Sequence, residues 1–229
     1  MLTFENVEEK NWVFNTLSEE EILYVMEICS PYGIPGWFTI EDALRLITYI
    51  MRSTTGPVRY CELGCWIGKS AATIGSYLKK YRPGSTMTCI DTWQGEKGAY
   101  TYVEAKSDNI YNKFLLTMES YGLDDMVESF VLDSTVASRL FNDNSFDVVF
   151  IDACHQYEKV LDDIKAWHPK AIKIVAGHDF HSAPGVKQAV LEYYETNFEN
   201  RGNLWIVKRD VENNSTQSID RLKSHLISK

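Results

Sequence analysis

From residue 57 onward, short apolar runs alternate with longer stretches in which apolar residues recur at helical spacing. The runs fall near 58–63, 86–91, 127–132, 146–151 and 171–176, and their near-continuous apolar content predicts strands covered on both faces. Helical spacing appears near 69–81, 105–121, 135–141, 157–167 and 184–196. This alternation predicts an α/β fold, a doubly wound and mostly parallel sheet whose strands are joined by right-handed crossovers. A last strand near 203–208 and an amphipathic helix near 217–227 close the chain. Residues 1–56 read as an N-terminal helical cap of the same unit, and 57–229 as the α/β domain. In the cap, Ser18 and Glu21 form a capping box for one helix, and Thr39 caps a second near 40–52. Ala43, Leu44, Ile47, Ile50 and Met51 make the buried stripe of that second helix. Trp37, on the loop between the two, reads as a core plug or a substrate-side wall, with core or cap favoured.

In sheets of this kind ligands sit beyond the carboxyl ends of the strands, so the residues that end each strand form the candidate site. The first strand runs into Glu62-Leu-Gly64-Cys65-Trp-Ile-Gly68, where Gly64 allows a sharp bend and close backbone approach to a ligand. Gly68 opens a helix whose free N–H groups and positive dipole end face the same ligand. A glycine-rich dinucleotide turn would place pyrophosphate where this chain has Glu62. An acid there argues against NAD or FAD and suits a ligand carrying an ammonium or sulfonium charge.

The second strand ends on Asp91-Thr92-Trp93, about 30 residues after the glycine turn, where a carboxylate reads as taking both hydroxyls of a ribose or as capping the loop. Asp133-Ser134 follows the third strand and reads either as the partner of an adenine edge or as the N-cap of the next helix. The fourth strand ends on Asp152-Ala-Cys-His155, and the fifth on His178-Asp179 with His181 close behind. Asp152 and Asp179 sit on strand ends expected to be neighbours, and two carboxylates in one cleft need a proton or a cation between them. A hard divalent ion with oxygen ligands answers that need. His168, before Pro169 at a helix end, reads as a cap that favours the helix dipole.

Composition narrows the partners. The net charge of −9 and the absence of a Lys/Arg run speak against nucleic acid. No stretch approaches the 18 or more apolar residues of a membrane span, and the acidic first ten residues lack a secretory pattern. The five cysteines, at 29, 61, 65, 89 and 154, are odd in number and include no C-x-x-C pair, so the cytoplasm is the expected compartment. Tyr100, Tyr102 and Trp93, on the loop after the second strand, read either as stacking partners for a ring or as core.

Glu62-Leu-Gly-Cys-Trp-Ile-Gly-Lys-Ser70, Ile90-Asp-Thr-Trp-Gln-Gly95, Ile151-Asp-Ala-Cys-His-Gln-Tyr-Glu158 and Ala176-Gly-His-Asp-Phe180, taken in order, resemble the successive motifs of class I S-adenosylmethionine-dependent methyltransferases. The group they look most like is methyltransferase family 24, small-molecule and sugar O-methyltransferases, over about residues 35–195. The resemblance implies a Rossmann-like fold with Glu62 and Gly64 at the methionine part of the cofactor, Asp91 at the ribose, and Asp133-Ser134 at the adenine. As in related catechol-type O-methyltransferases, it also implies Mg²⁺ or another divalent ion at Asp152 and Asp179. Here His178 stands where the group carries a carboxylate or amide ligand, and imidazole suits softer ions than magnesium. On this reading His155 is the candidate base, Asp152 shares the catalytic site, and the acceptor is a small molecule or sugar. A homodimer stays open. Two other readings are carried forward. One is a hydroxylase with ferrous iron held by two of His155, His178 and His181 plus Asp152 or Asp179, and the other is a binding module without turnover.

Overall fold

The computed structural model describes residues 2–30 and 32–209. The helix expected near 217–227 lies outside them. Among the described residues seven strands form one sheet in the order β3-β2-β1-β4-β5-β7-β6. Strands β1 (Arg59–Leu63), β2 (Thr86–Asp91), β3 (Val127–Val131), β4 (Phe146–Ile151) and β5 (Ala171–Gly177) run parallel. β7 (Leu204–Lys208) returns antiparallel to β5, and the three-residue β6 (Glu199–Arg201) hangs on its outer edge. This is the doubly wound α/β sheet that the alternation predicts.

Strand order reverses between β1 and β4, and the crevice opens there. Register holds it together: the Asp152 N–H donates to the Leu63 carbonyl at 2.8 Å, and the Gly64 N–H to the Ile90 carbonyl at 2.8 Å. The ends of β1, β2 and β4 are thus drawn level.

Side chains alternate across the sheet and feed two cores. On one face α2 (Glu19–Ile28), α3 (Ile40–Ser53) and α4 (Lys69–Tyr81) pack around Tyr60, Val148 and Phe150. On the other, α8 (Tyr157–Trp167) and α9 (Pro184–Tyr194) pack around Leu63, Val149 and Trp167. Helix α3 buries nine consecutive residues, Asp42 to Ile50, far more than an amphipathic stripe. Its Thr39–Asp42 capping box starts it squarely, with the Thr39 hydroxyl donating to Asp42 at 2.6 Å.

Three boundaries differ from the sequence reading. Helix α1 (Val7–Phe14) was not expected, because it buries only Glu9 and Val13 and so carries almost no apolar stripe. Asn6 caps it by accepting the Glu9 N–H at 2.8 Å. The helix expected over 105–121 is two, α5 (Tyr100–Ser107) and α6 (Ile110–Ser120), because Asn109 caps the second by accepting the Asn112 N–H at 2.9 Å. The helix expected at 135–141 is α7 (Ser134–Ala137) followed by a 3₁₀ turn.

Buried charge ties the N-terminal segment to the sheet. Arg45 is 5% exposed and donates from Nε to Glu9, itself 1% exposed, at 2.7 Å. The same guanidinium lies 3.5 Å from Asp42. Asp42 in turn faces the His178 Nε2 at 3.1 Å, 136 residues along the chain. Among the described residues no helix is long and apolar enough to cross a membrane.

Candidate active site

A cavity of about 820 Å³ opens at the crevice, within the size range of small-molecule sites. Gly64 and Cys65 from the first turn, Asp91 and Thr92 after β2, and Asp133 and Ser134 after β3 line it. So do Asp152, His155, His178 and Asp179 from the ends of β4 and β5. Expected site residues from five strands therefore meet in one place.

The glycine turn is close-packed. Gly64 has φ +82°, and a Cβ there would lie 2.1 Å from the Asp152 carbonyl oxygen. Only glycine lets β1 turn this tightly against β4. Gly68 faces the other way, since a Cβ on it would meet Met118 and Phe114, and it does not line the cavity. Its neighbours Lys69 and Ser70, in the first turn of α4, do.

Glu62 corrects an expectation. Its side chain is 0% exposed and does not line the cavity. The Ser70 hydroxyl donates to it at 2.6 Å and the Tyr60 hydroxyl at 3.2 Å. Burial, above all, pushes its carboxyl up to about 8. Glu62 holds Ser70 from behind the wall; it is not an anion facing a sulfonium. Trp93 is likewise structural. It is 5% exposed, packs on Tyr111 and Phe114, and donates from its indole to the Trp66 carbonyl at 2.7 Å. Of the two readings of Trp37 the favoured one, core or cap, does not hold: it is 67% exposed and lines the cavity as a wall residue, as does Tyr100 at 71%.

Asp91 accepts the backbone N–H of Trp66 and of Trp93, each at 2.8 Å, which fixes its carboxylate at the cavity edge. Burial raises its carboxyl above the usual range, against those hydrogen bonds. Asp133 is the N-cap of α7: one oxygen accepts from the Thr135 and Val136 N–H groups at 3.0 and 3.2 Å. The cap alternative for Asp133 is thus realised, and the residue also lines the cavity.

The acidic end of the cavity is a ring of charges. His155 Nδ1 meets Glu96 at 2.9 Å and its Nε2 meets Asp179 at 2.9 Å. With both ring nitrogens against carboxylates, the hydrogen bond to Asp179 outweighs burial and holds the imidazole up at about 9. Neither ring nitrogen faces the open cavity free of a carboxylate, so this arrangement does not favour His155 as the expected base. His178 is 4% exposed and sits between Asp42, Asp179 at 3.4 Å and Asp152 at 3.9 Å, which hold it up at about 11 against burial. Asp152 differs from its neighbours. No described residue donates a hydrogen bond to its carboxylate, and burial, partly offset by the His178 charge, pushes it up to about 7.

The ligand atoms of Asp152, His155 and Asp179 lie within 4.8 Å of one another, a donor set of two carboxylates and one imidazole that fits a divalent ion. The histidine of that set is His155. His178, expected there, has its Nε2 committed to Asp42. His181 turns away to Asn200 at 2.7 Å and stays out of the cluster. His168 packs at the end of α8 against Tyr194, and burial lowers it to about 4, so it carries no charge for the helix dipole. Glu96, Asp42 and Asp163 were not anticipated. Glu96 alone left a trace, following Gly95, whose φ of +69° and missing Cβ let the loop fold against Thr101.

A strand order that reverses at β1, with a glycine turn and strand-end acids around one crevice, defines a class I, S-adenosylmethionine-dependent methyltransferase. The model of methyltransferase family 24, described as a methyltransferase domain, matches residues 61–180, more than half the chain, and the protein belongs to that family. No curated protein sequence matches. Among solved structures, a calicheamicin methyltransferase is 14% identical, with TM-score 0.61, over 90% of this chain and 94% of its own. An O-methyltransferase from Bacillus cereus in complex with SAH is also 14% identical, with TM-score 0.52, over 89% and 97%. A SAM-dependent O-methyltransferase from Thermotoga maritima is 11% identical, with TM-score 0.54, over 82% and 71%. At such identities these likenesses speak for the fold.

Proposed function

We propose that the protein methylates a hydroxyl oxygen on a small molecule or sugar, with Asp152 as the proton acceptor. The observation that carries this reading is the Asp152 carboxylate, which lines the cavity without a hydrogen-bond donor among the described residues, His178 lying 3.9 Å away, while His155, His178 and Asp179 are hydrogen-bonded. The acceptor oxygen attacks the methyl carbon, the C–S electron pair stays on sulfur to give S-adenosylhomocysteine, and the hydroxyl proton passes to Asp152. Such a displacement depends mainly on positioning. On this reading Asp91 takes the ribose hydroxyls, and the first turn of α4 faces the methionine carboxylate. His155 and His178, both cationic, balance the ring of acids, and Trp37 and Tyr100 offer exposed faces at which a cyclic acceptor can stack. One structure of the calicheamicin enzyme is described as a TDP-rhamnose 3'-O-methyltransferase, which supports sugars within the acceptor class. A divalent ion held by Asp152 and Asp179, and by His155 once the ion displaces its proton, would supply Lewis-acid activation of the acceptor hydroxyl. The absence of paired cysteines among the described residues supports a cytoplasmic setting.

The test is a pH profile on an acceptor found by screening catechols, caffeoyl esters and nucleoside-diphosphate sugars for S-adenosylhomocysteine release. Asp152 must be ionised to accept a proton and its carboxyl lies at about 7. kcat/KM is therefore expected to rise about tenfold per pH unit below neutrality and level off above it. A rise that continues to about 9 would instead assign the proton to His155.

A further inference from the structure

Asp163, on α8, has no part in the reading above except that it shares the cavity. It is 2% exposed and yet belongs to the wall, beside the end of β3. One of its oxygens accepts the hydroxyl of Ser134. No described residue donates to the other. A buried carboxylate with an open acceptor is costly unless a donor reaches it. Lys159, one turn earlier on α8, lowers its carboxyl electrostatically but makes no contact within salt-bridge distance, and burial holds it up at about 7. Asp133, the acid that sequence points to for this end of the cavity, is exposed and spends one oxygen capping α7.

We infer that Asp163 reads the exocyclic amino group of the cofactor's adenine. The inference rests on the methyltransferase reading of the cavity and names the group that sets base specificity there. An amino group is a donor only, and a carboxylate an acceptor only, so the pair is complementary. The same carboxylate repels a base that presents a carbonyl oxygen at that position. The Ser134 hydroxyl fixes the carboxylate's rotation, and Leu132 and Ala153 from the same wall supply apolar surface for the ring. Cofactor choice is thus made on α8, by a residue outside the strand-end motifs.

Calorimetric titration at pH 8 with S-adenosylhomocysteine and with S-inosylhomocysteine, its deaminated analogue, tests this on the full chain. The wild type is expected to bind the adenine ligand about ten- to a hundredfold more tightly, the range of one hydrogen bond to a charged group. Asp163→Asn, whose amide both donates and accepts, is expected to bind the two with nearly equal affinity while melting at the wild-type temperature. Equal binding of both ligands by the wild type would overturn the proposal, as would an unchanged preference in Asp163→Asn. Should the wild type bind neither, the cofactor pocket itself falls and the proposal with it. Binding of the adenine ligand without discrimination sinks only the role of Asp163.

Discussion

Asp152→Asn is expected to lower kcat about 10²- to 10⁴-fold, the contribution of a positioned general base, while S-adenosylmethionine still binds. The amide has the shape of the carboxylate, and the Asp152 N–H that pins β4 to Leu63 at 2.8 Å is untouched. The loss is therefore one of proton acceptance, not of the turn. It also removes a negative charge that helps hold His178 protonated, so the histidine value should fall. His155→Gln is expected to cost less, because both ring nitrogens already face carboxylates at 2.9 Å and none is free to take a proton. Steady-state kinetics of the two variants with one acceptor decides between them. Undiminished turnover in Asp152→Asn would put the base elsewhere.

Arg45→Met is expected to destabilise the fold by about 3–5 kcal/mol, the cost of removing one partner from a buried ion pair. Arg45 and Glu9 are 5% and 1% exposed, so the variant strands the Glu9 carboxylate away from water, while Asp42 keeps His178 at 3.1 Å. Burial alone raises Glu9; the Arg45 hydrogen bond and charge more than reverse this and hold it below the ordinary range. The expected consequence of losing Arg45 is that Glu9 takes up a proton at neutral pH. Equilibrium denaturation checks the magnitude, and the double change Glu9→Gln with Arg45→Met should recover part of the loss because no charge is left unpaired. A cost below about 1 kcal/mol, typical of exposed pairs, would show that water reaches this pair in solution.

These two residues mark what sequence can and cannot disclose. Asp152 ends an apolar strand, and strand ends in a parallel sheet point at the crevice, so its place was legible from spacing alone. The same logic located Asp91, Gly64, Asp179 and the strands β1 to β5 that carry them. Arg45, Glu9 and Asp42 read as ordinary polar positions on helices, because nothing local distinguishes a solvated charge from one whose partner lies 36 residues away. Glu62 shows the opposite failure. Its position at the end of β1 suggested a ligand-facing acid, but the alternation of side chains across the strand sends it into the core with Tyr60. His155 and His178 were both seen, yet it is His155 that stands beside Asp152 and Asp179, because Asp42, from a helix outside the motifs, claims the His178 ring. Residues that act by pairing across elements were the ones hidden.

Titration calorimetry of S-adenosylmethionine into the wild-type protein and into Asp91→Asn is the most direct test of the cofactor pocket on which the rest depends. One-to-one binding is expected, weakened about ten- to a hundredfold by the substitution, as for loss of a hydrogen bond to a charged group. Absence of binding to the wild type would contradict the methyltransferase assignment of the cavity. Equal binding to both proteins would contradict the role of Asp91 at the ribose.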